Sequence, residues 1–188
     1  MSNAAGQVRR AGSITVFAGA AAGIDDRWAK TAYELGRLIA QGPGTLVFGA
    51  GGTGLMGAVS DGALDHGGHV VGVIPESMIE KEWARPDLTE LIVTDGMHER
   101  KKIMASRADG FICLPGGAGT LEELVEIWSW VNLGFLDSRI VLLDDNGFWQ
   151  PLLELVQHFE RSEFLGEQTR RQLLVAEDPA EALVMALG

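Results

Sequence analysis

The residues best placed to do chemistry lie between Leu114 and Glu123. The run Leu114-Pro-Gly-Gly-Ala-Gly-Thr120 follows an apolar, strand-like segment and leads into a helical pattern. Three glycines let the main chain turn sharply and present its N–H groups, and the start of the following helix adds partial positive charge. Together they make an anion site suited to a phosphate monoester, with the Thr120 hydroxyl as a further donor. Glu122 and Glu123 follow at once. Thr120-x-x-Glu123 also fits a capping box, in which the carboxylate returns to the Thr120 N–H, and acids favour a first helical turn. Upstream, Met97-His-Glu-Arg-Lys101 opens another helical pattern. Basic residues at a helix start oppose its dipole, so Arg100 and Lys101 point to a role beyond helix formation, although an exposed charged turn accounts for them too. With the strands Glu90–Thr94 and Gly110–Leu114 as neighbours, their carboxyl ends would open into one crevice and bring Arg100 and Lys101 to the glycine turn.

A second glycine turn, Phe48-Gly-Ala-Gly-Gly-Thr-Gly-Leu-Met-Gly57, fits G-x-G-x-x-G at Gly49, Gly51 and Gly54. Glu76 follows at about the spacing of a ribose-binding acid, so the turn read alone argues for a dinucleotide. It does not follow the first strand of the chain, and no separate substrate domain accompanies it. A phosphate site and a tight turn that packs strand against helix are the other two readings.

These turns need a scaffold that aims them. Apolar, β-rich runs recur at Ser13–Ala18, Thr45–Phe48, His69–Ile74, Glu90–Thr94, Gly110–Leu114, Arg139–Asp144 and Leu173–Ala176. Most lack polar alternation, as expected of parallel strands covered on both faces. Helical patterns run over about 25–40, 55–64, 97–106, 121–133, 148–159 and 180–187, the last opened by Asp178-Pro179. The alternation predicts an α/β fold, a Rossmann-like doubly wound parallel sheet flanked by helices, in one domain over 13–188 after a disordered segment 1–12. In the 121–133 helix, Leu121, Leu124, Val125, Ile127, Trp128, Trp130, Val131 and Leu133 cover most of the circumference. Such a helix is buried on more than one side, against a second subunit or beneath the C-terminal helices.

Composition narrows the function. A formal charge of −11 over 188 residues disfavours a nucleic-acid clamp. Cys113, the only cysteine, excludes an intrachain disulfide and reads as an inert strand residue. No apolar run approaches the ~20 residues that span a bilayer. Arg9 and Arg10 before Ile14–Ala22 look a little like a signal peptide, but the β-branched and aromatic residues there favour a first strand. A cytoplasmic protein is expected. No His, Cys or acid spacing resembles a metal site, no Ser–His–Asp arrangement can be assigned, and no lysine sits in a recognisable pyridoxal-phosphate context.

Several ordered motifs resemble the LOG family of cytokinin riboside 5′-monophosphate phosphoribohydrolases, formerly labelled lysine decarboxylases. They are Pro115-Gly-Gly-Ala-Gly-Thr-Leu-Glu-Glu123, Met97–Lys101, Gly54-Leu-Met-Gly57, Gly72-Val-Ile-Pro75, Leu88-Thr-Glu-Leu91 and Trp130-Val-Asn-Leu-Gly134. The similarity runs from about Ile14 to the C-terminus. It implies a Rossmann-like sheet of about seven strands, a homodimer with its site near the subunit interface, and no cofactor. By motif position it implies Arg100 and Glu123 as the catalytic pair. Gly116, Gly117, Gly119 and Thr120 match the phosphate-binding turn, and Lys101, Glu122 and Glu82 match further substrate-contacting positions. The implied reaction hydrolyses the N-glycosidic bond of a purine or cytokinin nucleoside 5′-monophosphate to the free base and ribose 5-phosphate. A carboxylate such as Glu123 can stabilise the oxocarbenium-like transition state and activate water. Arg100 stays protonated and is a poor general acid, which leaves it orienting Glu123 and holding sugar or phosphate oxygens. Two turns depart from the family pattern: Gly19-Ala-Ala21 stands for Gly-Ser-Ser, and Phe48-Gly-Ala-Gly51 for a tyrosine and three glycines. The competing readings are a phosphate-ligand carrier on the same fold, such as a molybdenum-cofactor carrier, and an NAD-dependent oxidoreductase.

Overall fold

Strands of the chain are short, apolar and separated by helices, and they assemble into one sheet. The computed structural model describes residues 12–42, 44–79 and 84–188. In chain order the elements are β1 (Ser13–Phe17), α1 (Asp26–Gln41), β2 (Thr45–Phe48), α2 (Gly54–Leu64), β3 (His69–Pro75), β4 (Glu90–Thr94), α3 (Met97–Ser106), β5 (Gly110–Cys113), α4 (Ala118–Asn132), β6 (Arg139–Leu143), α5 (Gln150–Arg161), α6 (Glu167–Arg170), β7 (Leu173–Ala176) and α7 (Pro179–Leu187). The segment expected to be disordered, 1–12, lies outside the described residues apart from Gly12.

The strand order is β4-β3-β2-β1-β5-β6-β7, and every pairing is parallel. Successive β1 residues feed opposite faces, as a period of two requires. Ile14 and Val16 join a core with Leu46, Phe48, Leu55, Val59 and Ile112, under α1, α2 and α7. Phe17 joins the other core, with Val47, Phe111, Cys113, Leu124 and Ile127, under α3, α4 and α5. β1 pairs on both sides, which places the decoy apolar run after Arg9 and Arg10 in the middle of the sheet. The Asp178 side chain caps α7 through the Ala180 and Glu181 N–H groups, both at 2.9 Å, the start that the Asp-Pro pair signals.

Two expectations need correction. Strands β4 and β5 are not neighbours: β4 is an edge strand, and β3, β2 and β1 stand between it and β5. Being an edge, β4 alternates, with Leu91 and Val93 exposed. Arg100 reaches the middle of the sheet by another route. Helix α3 leaves the edge strand and packs over β3, and the Arg100 side chain on its first turn reaches past β3 to the Gly49 carbonyl at the carboxyl end of β2. The second correction concerns α4, which begins at Ala118 rather than Leu121, with Gly117 as N-cap. Thr120 is therefore inside the first turn and not at the cap, so Thr120-x-x-Glu123 is not a capping box.

Candidate active site at the switch point

The strand order reverses at β1, with β2 on one side and β5 on the other, and ligands of open α/β sheets bind where that happens. A cavity of about 500 Å³ opens there, within the usual size of a small-ligand site. The turn after β1 (Gly19–Gly23), the turn after β5 (Pro115–Thr120) and the first turns of α2, α3 and α4 form its walls, with Trp28 of α1 and Phe148 after β6.

The two turns are tied together through Gly19. Its N–H donates to the Pro115 carbonyl at 3.0 Å, and its own carbonyl accepts from Leu55 N at 2.9 Å and Met56 N at 3.2 Å. The amides that would cradle a pyrophosphate at the start of α2 are thus engaged by the neighbouring turn. Of the three readings of the Gly49–Gly54 turn, close packing of strand on helix is the one this arrangement supports. Gly49 also makes room for a catalytic candidate. Its carbonyl accepts from Arg100 Nη2 at 3.0 Å, and a Cβ at position 49 would stand 2.1 Å from that nitrogen.

The Pro115–Thr120 turn is open by contrast. The first amides of α4 have no acceptor within the helix, and the Leu121 N–H makes the first intrahelical bond, to Gly117 at 3.0 Å. Gly117 and Gly119 line the cavity, and a Cβ on either would meet nothing within 4 Å. Gly116 is constrained differently: a Cβ there would lie 2.1 Å from Thr120 Oγ1, so the glycine lets the threonine hydroxyl fold back under the turn. Thr120 is buried, and Glu123 follows three residues later on the same helical face.

Arg100, Glu122 and Glu123 all line this cavity. Arg100 is only 3% exposed, and its Nη1 faces Met97 Sδ at 3.7 Å and Met78 Sδ at 3.9 Å. The Glu123 carboxylate lies close enough to Cys113 to add to the burial that pushes this thiol well above its ordinary range, as an inert strand cysteine requires. Lys101 is not in the cavity wall. Its ammonium reaches Glu122 Oε1 at 2.5 Å and Glu126 Oε2 at 2.9 Å, behind the rim. Burial alone would lower the Lys101 pKa, but the two carboxylates outweigh it and the net direction is upward. Glu82 lies outside the described residues. Sequence reasoning missed Met78, Trp28 and Phe148, whose types carry no chemical signal and which only the fold brings to the crevice.

Fold and cavity define a Rossmann-like α/β protein with an open glycine turn at its switch point. Residues 56–186 match the family model described as possible lysine decarboxylase. The chain belongs to that family, the LOG family whose motifs it carries. It is 44% identical to the cytokinin riboside 5′-monophosphate phosphoribohydrolase of Rhodococcoides fascians, over 88% of this chain and 84% of that one. It is 40% identical to the rice (Oryza sativa subsp. japonica) cytokinin riboside 5′-monophosphate phosphoribohydrolase LOG, over 93% of this chain and 72% of that one. Among solved structures, a molybdenum cofactor binding protein from Rippkaea orientalis superposes with a TM-score of 0.69 at 25% identity, over 94% of this chain and 95% of that one. The molybdenum cofactor carrier protein of Chlamydomonas reinhardtii gives 0.67 at 26% identity, over 93% and 95%.

Proposed function

We propose that this chain hydrolyses the N-glycosidic bond of a purine or cytokinin nucleoside 5′-monophosphate, releasing the free base and ribose 5-phosphate. The observation that carries the proposal is the presence, in one cavity, of the open α4 amides with Glu123 one turn further along and Arg100 entering from α3. The monoester binds the Gly117–Thr120 amides and the Thr120 hydroxyl, at the positive end of the helix dipole. That anchor lies remote from the reacting bond, and its binding energy serves to hold the anomeric carbon at Glu123. As the C1′–N bond lengthens, positive charge grows on the ribose. The Glu123 carboxylate stabilises it and takes a proton from the attacking water as the hydroxyl bonds to C1′, and that proton then passes to the departing base nitrogen, which restores the carboxylate. Arg100, tethered to the Gly49 carbonyl, holds oxygen atoms of sugar or phosphate and keeps the carboxylate aimed. Glu122 stands at the rim as a hydrogen-bond acceptor for the sugar, with Lys101 behind it.

The fold neighbours favour a second reading, a carrier that binds a phosphorylated ligand without cleaving it. Sequence weighs the other way, since identity to the phosphoribohydrolases reaches 44% against 25–26% for the molybdenum-cofactor proteins. Lysine decarboxylation has no support at Lys101. A Schiff-base lysine needs a depressed pKa, and Lys101 is held by two carboxylates that raise it.

The working unit is a homodimer in this reading. Leu121 and Val125 on α4, Met97 on α3, and Leu91 and Val93 on the edge strand are all exposed. Apolar exposure of this kind marks association surfaces. A cytoplasmic site of action and a small-molecule partner, rather than nucleic acid or membrane, go with the acidic net charge. The test is to incubate the protein with AMP, N6-isopentenyl-AMP and adenosine and follow free base and ribose 5-phosphate. Both nucleotides should be cleaved. Adenosine should react with kcat/KM lower by about 10³-fold or more, because it lacks the anchoring monoester. Binding of AMP without release of adenine would favour the carrier.

A further inference from the structure

The cavity is chemically divided. Among its described lining residues, the charged side chains Arg100, Glu122 and Glu123 all come from α3 and α4. An uncharged, aromatic part of the lining comes from other elements, Trp28 of α1 and Phe148 after β6, with the small residues Ala20–Gly23 of the turn after β1. Two of those walls are aromatic and fixed. The Trp28 and Phe148 rings meet edge to face, with centroids 5.5 Å apart and planes at 79°. Trp28 Nε1 donates to the Asp145 carbonyl at 3.3 Å, and the Asp145 carboxylate accepts from Thr31 Oγ1 at 2.5 Å, so the turn after β6 is tied to α1. Against the indole, and also lining the cavity, sits Gly23 at φ +78°, where a Cβ would stand 2.5 Å from the ring. Thus the indole is positioned before any ligand arrives, its polar edge already satisfied and its ring left for apolar contact.

We propose that Trp28, backed by Phe148, is the base-recognising wall of the site and sets its preference for a planar purine. The inference rests on the reading above and adds the residues that select the base. A nucleoside monophosphate has one anionic end and one flat, uncharged end. The open α4 amides suit the first, and the uncharged aromatic wall contributed by α1 and the turn after β6 suits the second.

Binding titrations separate this proposal from the proposed reaction. In a Glu123→Gln background, which slows turnover, AMP and ribose 5-phosphate are titrated calorimetrically with Trp28 intact and with Trp28→Ala. Both ligands carry the monoester, and only AMP carries a base. Stacking of a base on an aromatic side chain predicts that Trp28→Ala weakens AMP about tenfold and leaves ribose 5-phosphate within about twofold. Trp28→Phe should keep most of the AMP affinity, and Phe148→Ala should repeat the loss in weaker form. With the unblocked enzyme, Trp28→Ala should raise KM for AMP more than it changes kcat. Equal weakening of both ligands, or AMP affinity unchanged in Trp28→Ala, overturns the proposal. A failure of the unblocked protein to cleave AMP would overturn the reaction and leave the two titrations to decide the wall.

Discussion

Gly49 and Arg100 occupy each other's space: the glycine carbonyl accepts from the guanidinium at 3.0 Å, and a methyl group at position 49 would stand 2.1 Å from the same nitrogen. A turn that reads as a dinucleotide fingerprint thus serves to seat an arginine that arrives from α3. Gly49→Ala should therefore displace Arg100 without unfolding the sheet. A displacement of about 1 Å costs a positioned group on the order of 10²-fold, so kcat/KM for AMP should fall by about that factor. Steady-state kinetics beside a thermal melt checks this, and full activity in Gly49→Ala would show that the seat is unimportant.

Lys101 should act on stability more than on binding. Its side chain is 8% exposed and holds Glu122 and Glu126 together. Lys101→Met leaves two carboxylates facing each other. For a pair between the fully buried and the surface case, the expected loss is about 1–2 kcal/mol. The pH dependence has a definite sign. A lysine whose pKa is raised on folding contributes stability that is fully present below its unfolded value of about 10.4 and is lost as pH rises through the folded value. Denaturant melts of both proteins should differ by a constant amount from neutral pH to about pH 10 and converge above it.

The exposed apolar surface of α4 gives a test of assembly. Val125 is 46% exposed in the single chain although it lies on a helix that reads as buried nearly all round. Trp128 is accounted for within the chain, since its Nε1 donates to the Thr169 carbonyl at 3.0 Å beside α6. Of the two expectations for this helix, packing beneath C-terminal elements is met on the Trp128 side, and the Val125 side stays open. Val125→Glu should shift the protein to a monomer in analytical ultracentrifugation. An unchanged sedimentation coefficient with Val125→Glu would place the subunit contact elsewhere.

How much of this was legible in the residues depended on how local the signal is. Strand and helix alternation is local, and Thr45–Phe48, Glu90–Thr94, Leu173–Ala176 and Met97–Ser106 occur with the expected bounds. The start of α4 was misplaced because glycine has low helix propensity. Gly117 and Gly119 mask a helix that begins before the apolar run. Whether β4 and β5 are neighbours could only be posed as a condition, because strand order is a property of crossovers, on which a local pattern is silent. Glu123 and the glycine turn could be read as a unit because they are contiguous, nine residues of chain that lead into one helix. Arg100 could be linked to them through motif resemblance, and the fold explains the link by the path of α3. Trp28, Phe148 and Met78 were invisible, since apolar residues in a wall have the same types and spacing as apolar residues in a core.

The most direct measurement compares the protein and its Glu123→Gln variant for release of adenine from AMP, with ribose 5-phosphate affinity measured alongside. Glutamine keeps the size of the side chain and removes the charge and the basicity. Loss of a group that both activates water and stabilises the cation predicts a fall in kcat of about 10³-fold or more, with ribose 5-phosphate binding retained at the α4 amides. Hydrolysis at the original rate by Glu123→Gln would contradict the account.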